Sequence, residues 1–164
     1  MNVYIVWAKC ALLLKTQIGG VMMEYASGEN NSLGINFGIY AGRITLFKGT
    51  IVALGHPEFY RFLFDPDSRK FAVQCCSIDA SGANQLPRQL NRDRYETYSL
   101  DLVRYIYKIC GWDIGSSYRI KGIALPESQM IVFDLNEALR VIERRTPEKE
   151  NEKNETVNVQ HPAS

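Results

Sequence analysis

His56, four cysteines, and a basic stretch threaded with tyrosines are the parts of this 164-residue chain whose types and spacing suit chemistry. A Ser-His-Asp or Cys-His pair has to use His56, because the other histidine, His161, sits in the polar C-terminal run. Its setting, Gly55-His56-Pro57-Glu58, carries no nucleophile signature such as Gly-x-Ser-x-Gly. A general base and a turn residue between helix and strand are the two readings of His56, and the turn asks for less. Cys10, Cys75, Cys76 and Cys110 show no Cys-x-x-Cys spacing, so a zinc site has no local scaffold. Cys75 and Cys76 are neighbours on an expected strand and point to opposite faces. The cysteines therefore read as small apolar residues in a reducing cytoplasm. Gly34, Gly38 and Gly42 recur every fourth residue without forming a phosphate loop, which leaves strand twist or close packing as their role. Asp65, Asp67 and Asp79 fall at expected turns. No catalytic residue, metal or cofactor is expected.

The basic stretch offers more. From Arg88 to Lys108 run Arg88, Arg92, Arg94, Arg104 and Lys108, interleaved with Tyr95, Tyr98, Tyr105 and Tyr107. Asp93, Glu96 and Asp101 reduce the local balance to +2. Arginine forks match phosphate, and tyrosine rings stack on bases. Arg104 and Lys108 repel at helical i,i+4 spacing, a cost of a few tenths of a kcal/mol that a binding surface can tolerate. The plainer alternative is a solvated helix face beside a polar loop. With 19 basic and 18 acidic residues the whole chain carries +1, which excludes binding nucleic acid by bulk attraction alone and leaves room for a local patch.

These residues need a scaffold, and the chain divides into three parts. Residues 146–164 hold Lys149 and Lys153 against Glu148, Glu150, Glu152 and Glu155, with Val157, Val159 and Ala163 as the only apolar residues, and read as a disordered acidic tail. Removing its −2 leaves +3 on the remainder. At the other end, Val3–Leu14 is apolar apart from Lys9, too short for a membrane span of about 20 residues and lacking the basic start of a signal peptide. Two readings of residues 1–22 stand: a misassigned start ahead of Met22 or Met23, where Gly19-Gly20 would encode a ribosome-binding sequence, or a short apolar N-terminal strand or helix. Residues 23–145 form the expected single domain, at about 120 residues a normal size. Nothing in the chain suggests a membrane protein, and the expected location is the cytoplasm.

Within that domain Ile35–Tyr40 and Arg43–Phe47 read as strands and Lys48–Leu54 as a short helix stopped by Gly55. Glu58–Asp65 and Lys70–Cys76 form a hairpin turning at Pro66-Asp67-Ser68-Arg69. Residues 77–94 read as a long polar loop. Ser99 caps a helix ending at Gly111, with Leu102, Val103, Ile106, Ile109 and Cys110 as its buried stripe. A second hairpin, Ser117–Leu125 with Met130–Phe133, leads to a last helix over Leu135–Arg145. The two hairpins share Tyr-Arg starts and Pro-acid-Ser turns, which fits a degenerate α-β-β duplication and coincidence equally well. The expected class is α+β: antiparallel β-hairpins with two or three short helices.

The run Arg43-Ile-Thr-Leu-Phe-Lys-Gly-Thr-Ile-Val-Ala-Leu-Gly55, followed by Phe59–Asp65 and Lys70–Val73, resembles the AbrB/MazE-type DNA-binding module. Leu46-Phe47 stands where that module has Ile-Pro, and Pro57-Glu58 where it has Gly-Asp. The resemblance implies an intertwined homodimer and DNA contacts from Arg43 and Lys48. Otherwise the chain resembles small proteins of Gram-positive bacteria and their mobile elements, from which no activity carries over. The expectation is a small non-enzymatic regulatory protein with DNA as partner, contacted through Arg43, Lys48, Arg88, Arg92, Arg94, Arg104, Tyr105 and Lys108. The alternative is a protein-interaction or dimerisation module using Phe59, Tyr60, Phe62 and Phe64 as its surface.

Overall fold

The computed structural model describes residues 33–87 and 94–141. The expected N-terminal segment, the acidic tail, Cys10, Arg88, Arg92 and His161 all lie outside the described residues. The elements are β1 (Gly34–Gly38), β2 (Arg43–Phe47), α1 (Lys48–Ala53), β3 (Phe59–Asp65), β4 (Lys70–Cys75), β5 (Asn84–Gln85), β6 (Arg94–Tyr98), α2 (Leu100–Cys110), β7 (Ser117–Leu125), β8 (Met130–Asp134) and β9 (Leu139–Val141). All strands join one antiparallel sheet in the order β5-β3-β4-β8-β7-β1-β2-β6, with β9 added beside β7.

Strand makes up 46% of the described residues and helix 25%, and the sheet curls into a half-barrel. The protein is therefore largely β, which corrects the expected α+β class with two or three helices. Two segments account for the difference. Leu135, Ala138 and Leu139 have helical spacing, yet Asp134 accepts the Asn136 N–H at 3.0 Å and forms a 3₁₀ turn over Leu135–Glu137. The chain then continues as β9, where Arg119 faces Leu139 and Ser117 faces Val141. A sheet edge that offers ladder bonds outweighs weak helix propensity. Arg94–Tyr98, read as loop and helix start, pairs with all of β2. Its Tyr95-Glu96-Thr97 run alternates inward and outward residues and is rich in residues that suit a half-buried strand.

Side-chain alternation builds the core. Ile35 and Phe37 of β1 lie opposite Leu46 and Ile44 of β2 and opposite Ile120 and Tyr118 of β7. With Tyr60, Phe62, Phe64, Phe71, Val73, Ile131 and Phe133 they line the inner face. Into this trough α2 lays Leu102, Val103, Ile106 and Tyr107, all buried. The Tyr107 hydroxyl bonds the carbonyls of Phe37 at 3.1 Å and Ser116 at 2.7 Å, fixing the helix across β1. Beside it, Trp112 stacks on Tyr118 with centroids 4.4 Å apart. The two ends of the trough approach through Tyr60 and Tyr95, whose hydroxyls are 3.4 Å apart, and burial pushes the Tyr60 phenol far above its ordinary value.

Local rules set the ends of the elements. His56 N–H bonds Ile51 O and Gly55 N–H bonds Val52 O, the paired bonds of a Schellman stop, with Gly55 at φ 75°. Gly42, at φ 66°, has no substitute: a Cβ there would lie 2.3 Å from the Leu100 Cα. Its carbonyl accepts the Ser99 N–H, so the β1–β2 connection docks the start of α2. Ser99 occupies the N-cap position, but its side chain makes no capping bond. Among the described residues no helix is long and apolar enough to cross a membrane.

Candidate nucleic-acid interface

Because Ile44 and Leu46 face inward, Arg43, Thr45 and Phe47 face outward from β2. The same alternation puts Gly34, Asn36 and Gly38 of β1, Ser117, Arg119 and Lys121 of β7, and Arg94, Glu96 and Tyr98 of β6 on that outer face. The two strand glycines of β1 form its floor. A Cβ at Gly34 would sit 2.9 Å from the Phe47 ring, and one at Gly38 would sit 3.7 Å from Arg43 Nε and Nη2. The bare backbone at Gly34 lets the Phe47 ring lie flat across β1, close packing being one of the two roles its spacing suggested, whereas the contacts at Gly38 are ordinary. From the β7 side, the Arg119 guanidinium covers the Phe47 ring at 4.7 Å. Arg119 also faces Asn36 in register, and Asn36 Oδ1 and Arg119 Nε are buried without a hydrogen-bond partner. Thr50 at the base of α1 holds the end of β1, donating to Gly34 O and accepting from Gly34 N–H, both at 2.8 Å.

Among the described residues, four cations from three of these four adjacent strands, Arg94 of β6, Arg43 of β2 and Arg119 and Lys121 of β7, thus share one face with one acid, Glu96. Arg94 Nε lies 3.2 Å from Glu96 Oε1, and the Tyr98 hydroxyl donates to Glu96 Oε2 at 3.2 Å. Tyr98 remains 53% exposed beside them.

Of the expected nucleic-acid residues, the structure brings Arg43 and Arg94 together on this face. Lys48 is exposed and begins α1 directly after Phe47, off the end of the β2 ladder. Arg104, Tyr105 and Lys108 lie on the solvent side of α2, behind the inner face, and Tyr105 packs edge-on to Phe64 at 5.8 Å. The two sets stand on opposite sides of the sheet. Arg119 and Lys121 were missed, although Ser117–Leu125 was read as a strand. Alternation in Tyr118-Arg119-Ile120-Lys121 was the available signal.

The aromatic hairpin is not a surface: Tyr60, Phe62 and Phe64 are buried in the core, and Phe59 is half-buried. His56 is an exposed turn residue at φ 51°. Cys75, Cys76 and Cys110 are free and half-buried, and burial raises each thiol pKa, which disfavours the nucleophilic thiolate. The Cys75 thiol donates to Leu54 O at 3.3 Å. Among the described residues no group of three His, Cys, Asp or Glu side chains could hold a metal ion. Asp113 is committed to structure. It accepts from Gly115 N–H, Ser116 Oγ and Arg140 Nη2, and these contacts hold its carboxyl below the usual range.

No protein family, curated protein or solved structure matches this chain. The functional reading therefore rests on its own geometry.

Proposed function

We propose that the protein is a small regulatory protein that binds DNA through the outer face of β6, β2, β1 and β7. One observation carries this reading: among the described residues, Arg94 of β6, Arg43 of β2 and Arg119 and Lys121 of β7 share one face of four neighbouring strands with one carboxylate, Glu96. At about 4.8 Å per strand the row is roughly 14 Å wide. Duplex DNA presents a negative charge every ~1.7 Å of its axis, so such a row meets several phosphates. Arginine suits this contact through its planar fork, and Tyr98 adds an exposed ring at the edge of the row. The AbrB/MazE-type resemblance singles out Arg43 on this face and Lys48 beside it. The chain carries only +1 overall, so attraction comes from the local row and weakens steeply with salt.

The test is fluorescence anisotropy with a labelled duplex at low salt. Arg43→Ala with Arg94→Ala and Lys121→Ala should weaken binding at least tenfold, while Arg104→Ala with Lys108→Ala should leave it within about twofold. Equal losses from both variants, or no binding by the native chain, would refute the reading.

A second reading rests on β6. It ends the ladder, and beyond it no further strand lies among the described residues. Pairing of two β6 edges would give a homodimer and double the width of the basic row. Sedimentation at micromolar concentration separates dimer from monomer.

A further inference from the structure

We propose that the apolar segment Val3–Leu14 of this chain packs over the outer face of β3, β4 and β8 and the end of β7, as a second layer on that half of the sheet. Leu63, Ala72, Met130 and Val132 point away from the inner core, yet they are only 3%, 2%, 4% and 8% exposed. They form a cluster of their own with Leu125 packed against it, separate from the core that holds α2. Every described member of that cluster belongs to a strand of the sheet itself. A sheet does not bury its own outer face, so an apolar half-face of this kind needs a covering layer.

Composition and connection both point to the same occupant. Residues 88–93, Arg-Gln-Leu-Asn-Arg-Asp, offer one apolar side chain, and residues 146–164 are dominated by Glu, Lys and Asn. Val3–Leu14 has Lys9 as its sole charge. In helical register Val3, Val6, Trp7, Cys10, Leu13 and Leu14 would make one continuous apolar stripe. The chain enters the sheet beside the patch: Gly122 N–H donates to Leu33 O at 2.9 Å, and Gly34 faces Lys121. The next residues of β7, Ile123 to Leu125, face Val132 to Met130 of β8. The intervening residues 15–32 can reach about 60 Å when extended, ample for the segment to fold back over the patch. Ile123, 68% exposed on the same face, marks its rim.

Timed trypsin digestion of the native chain, read by mass spectrometry, tests this. Cleavage after Lys9 should be at least tenfold slower than after Lys149 and Lys153 in the acidic tail. Leu13→Glu, a charge placed in the middle of the proposed covering stripe, should bring Lys9 cleavage to the tail rate and raise the emission of the apolar dye ANS. A chain begun at Met22 should bind ANS, and a synthetic peptide of residues 1–21 should displace it. Lys9 cleaved at the tail rate in the native chain overturns the proposal. So does slow Lys9 cleavage that Leu13→Glu leaves unchanged, or a face covered by a second copy, seen as a dimer that Leu13→Glu does not alter.

Discussion

On β6, β2, β1 and β7 the outward residues include Arg94, Arg43, Asn36, Arg119 and Lys121, while on β3, β4 and β8 they include Leu63, Ala72, Met130 and Val132. The inner alternation is the same on both sides, and one core runs beneath them. Only the outer residues differ. The cations of the apolar half are held at its margins: Arg61 donates to Gln74 Oε1 through Nε at 3.0 Å and Nη2 at 2.8 Å, and Lys70 pairs with Asp134. The basic half carries four cations on three of its four strands, β6, β2 and β7, with Glu96 as the one acid facing them among the described residues. On the basic half Lys121, Arg94 and Tyr98 reach water although Thr45, Phe47 and Ser117 are buried there, whereas the outward apolar cluster of the other half is buried throughout. A single sheet thus carries a polar surface and a second apolar layer through the identity of alternate residues alone.

The largest test of this division is a charge on each half. Val132→Glu places an unpaired carboxylate in the buried outer cluster and should cost about 3–5 kcal/mol, read from the urea midpoint. Lys121→Glu changes an exposed position on the basic half and should stay within about 0.5 kcal/mol while weakening DNA binding. Equal stability losses would erase the distinction between the halves. Next comes Thr50→Val, which removes both bonds to Gly34 and leaves that backbone unsatisfied. It should cost about 1–3 kcal/mol, with the loss of hydrogen-exchange protection concentrated in β1.

Acid should act on the margin of the apolar half. Partial burial pushes the Asp134 carboxyl up, but the Lys70 ammonium and the Asn136 N–H groups outweigh it and hold the pKa below its ordinary value. A depressed carboxylate contributes stability above its unfolded pKa and loses it as pH falls through the folded value. The urea midpoint should therefore be flat from neutrality to about pH 5 and fall below about pH 4. Lys70→Met should flatten part of that fall, and an unchanged profile would remove the pair from the account.

The sequence showed the local elements better than their assembly. Gly55 and Gly111 stopped helices where expected, and the Pro66 and Pro126 turns set both hairpins, because these signals lie within a few residues of chain. β9 was hidden by helical spacing whose competitor, the free edge of β7, lies far away in sequence. β6 was hidden by the polar residues around it. Of the expected residues the structure puts Arg43 and Arg94 on one outer face, while Arg104 and Lys108, near Arg94 in the chain, stand on the solvent side of α2. The side of the sheet that α2 covers is a tertiary fact, and it alone separates them. Arg119 and Lys121 reach the interface through the β1–β7 pairing, a contact between residues some eighty positions apart.

The most direct test of the central claim is the salt dependence of duplex DNA binding by the native chain and by Arg43→Ala/Arg94→Ala/Lys121→Ala. Each phosphate contact contributes a slope of about −0.9 in log K against log salt. The native slope should exceed the variant's by about 2–3 units, with circular dichroism unchanged. Identical slopes, or retention independent of salt, would contradict the claim that the basic half of the outer face meets DNA.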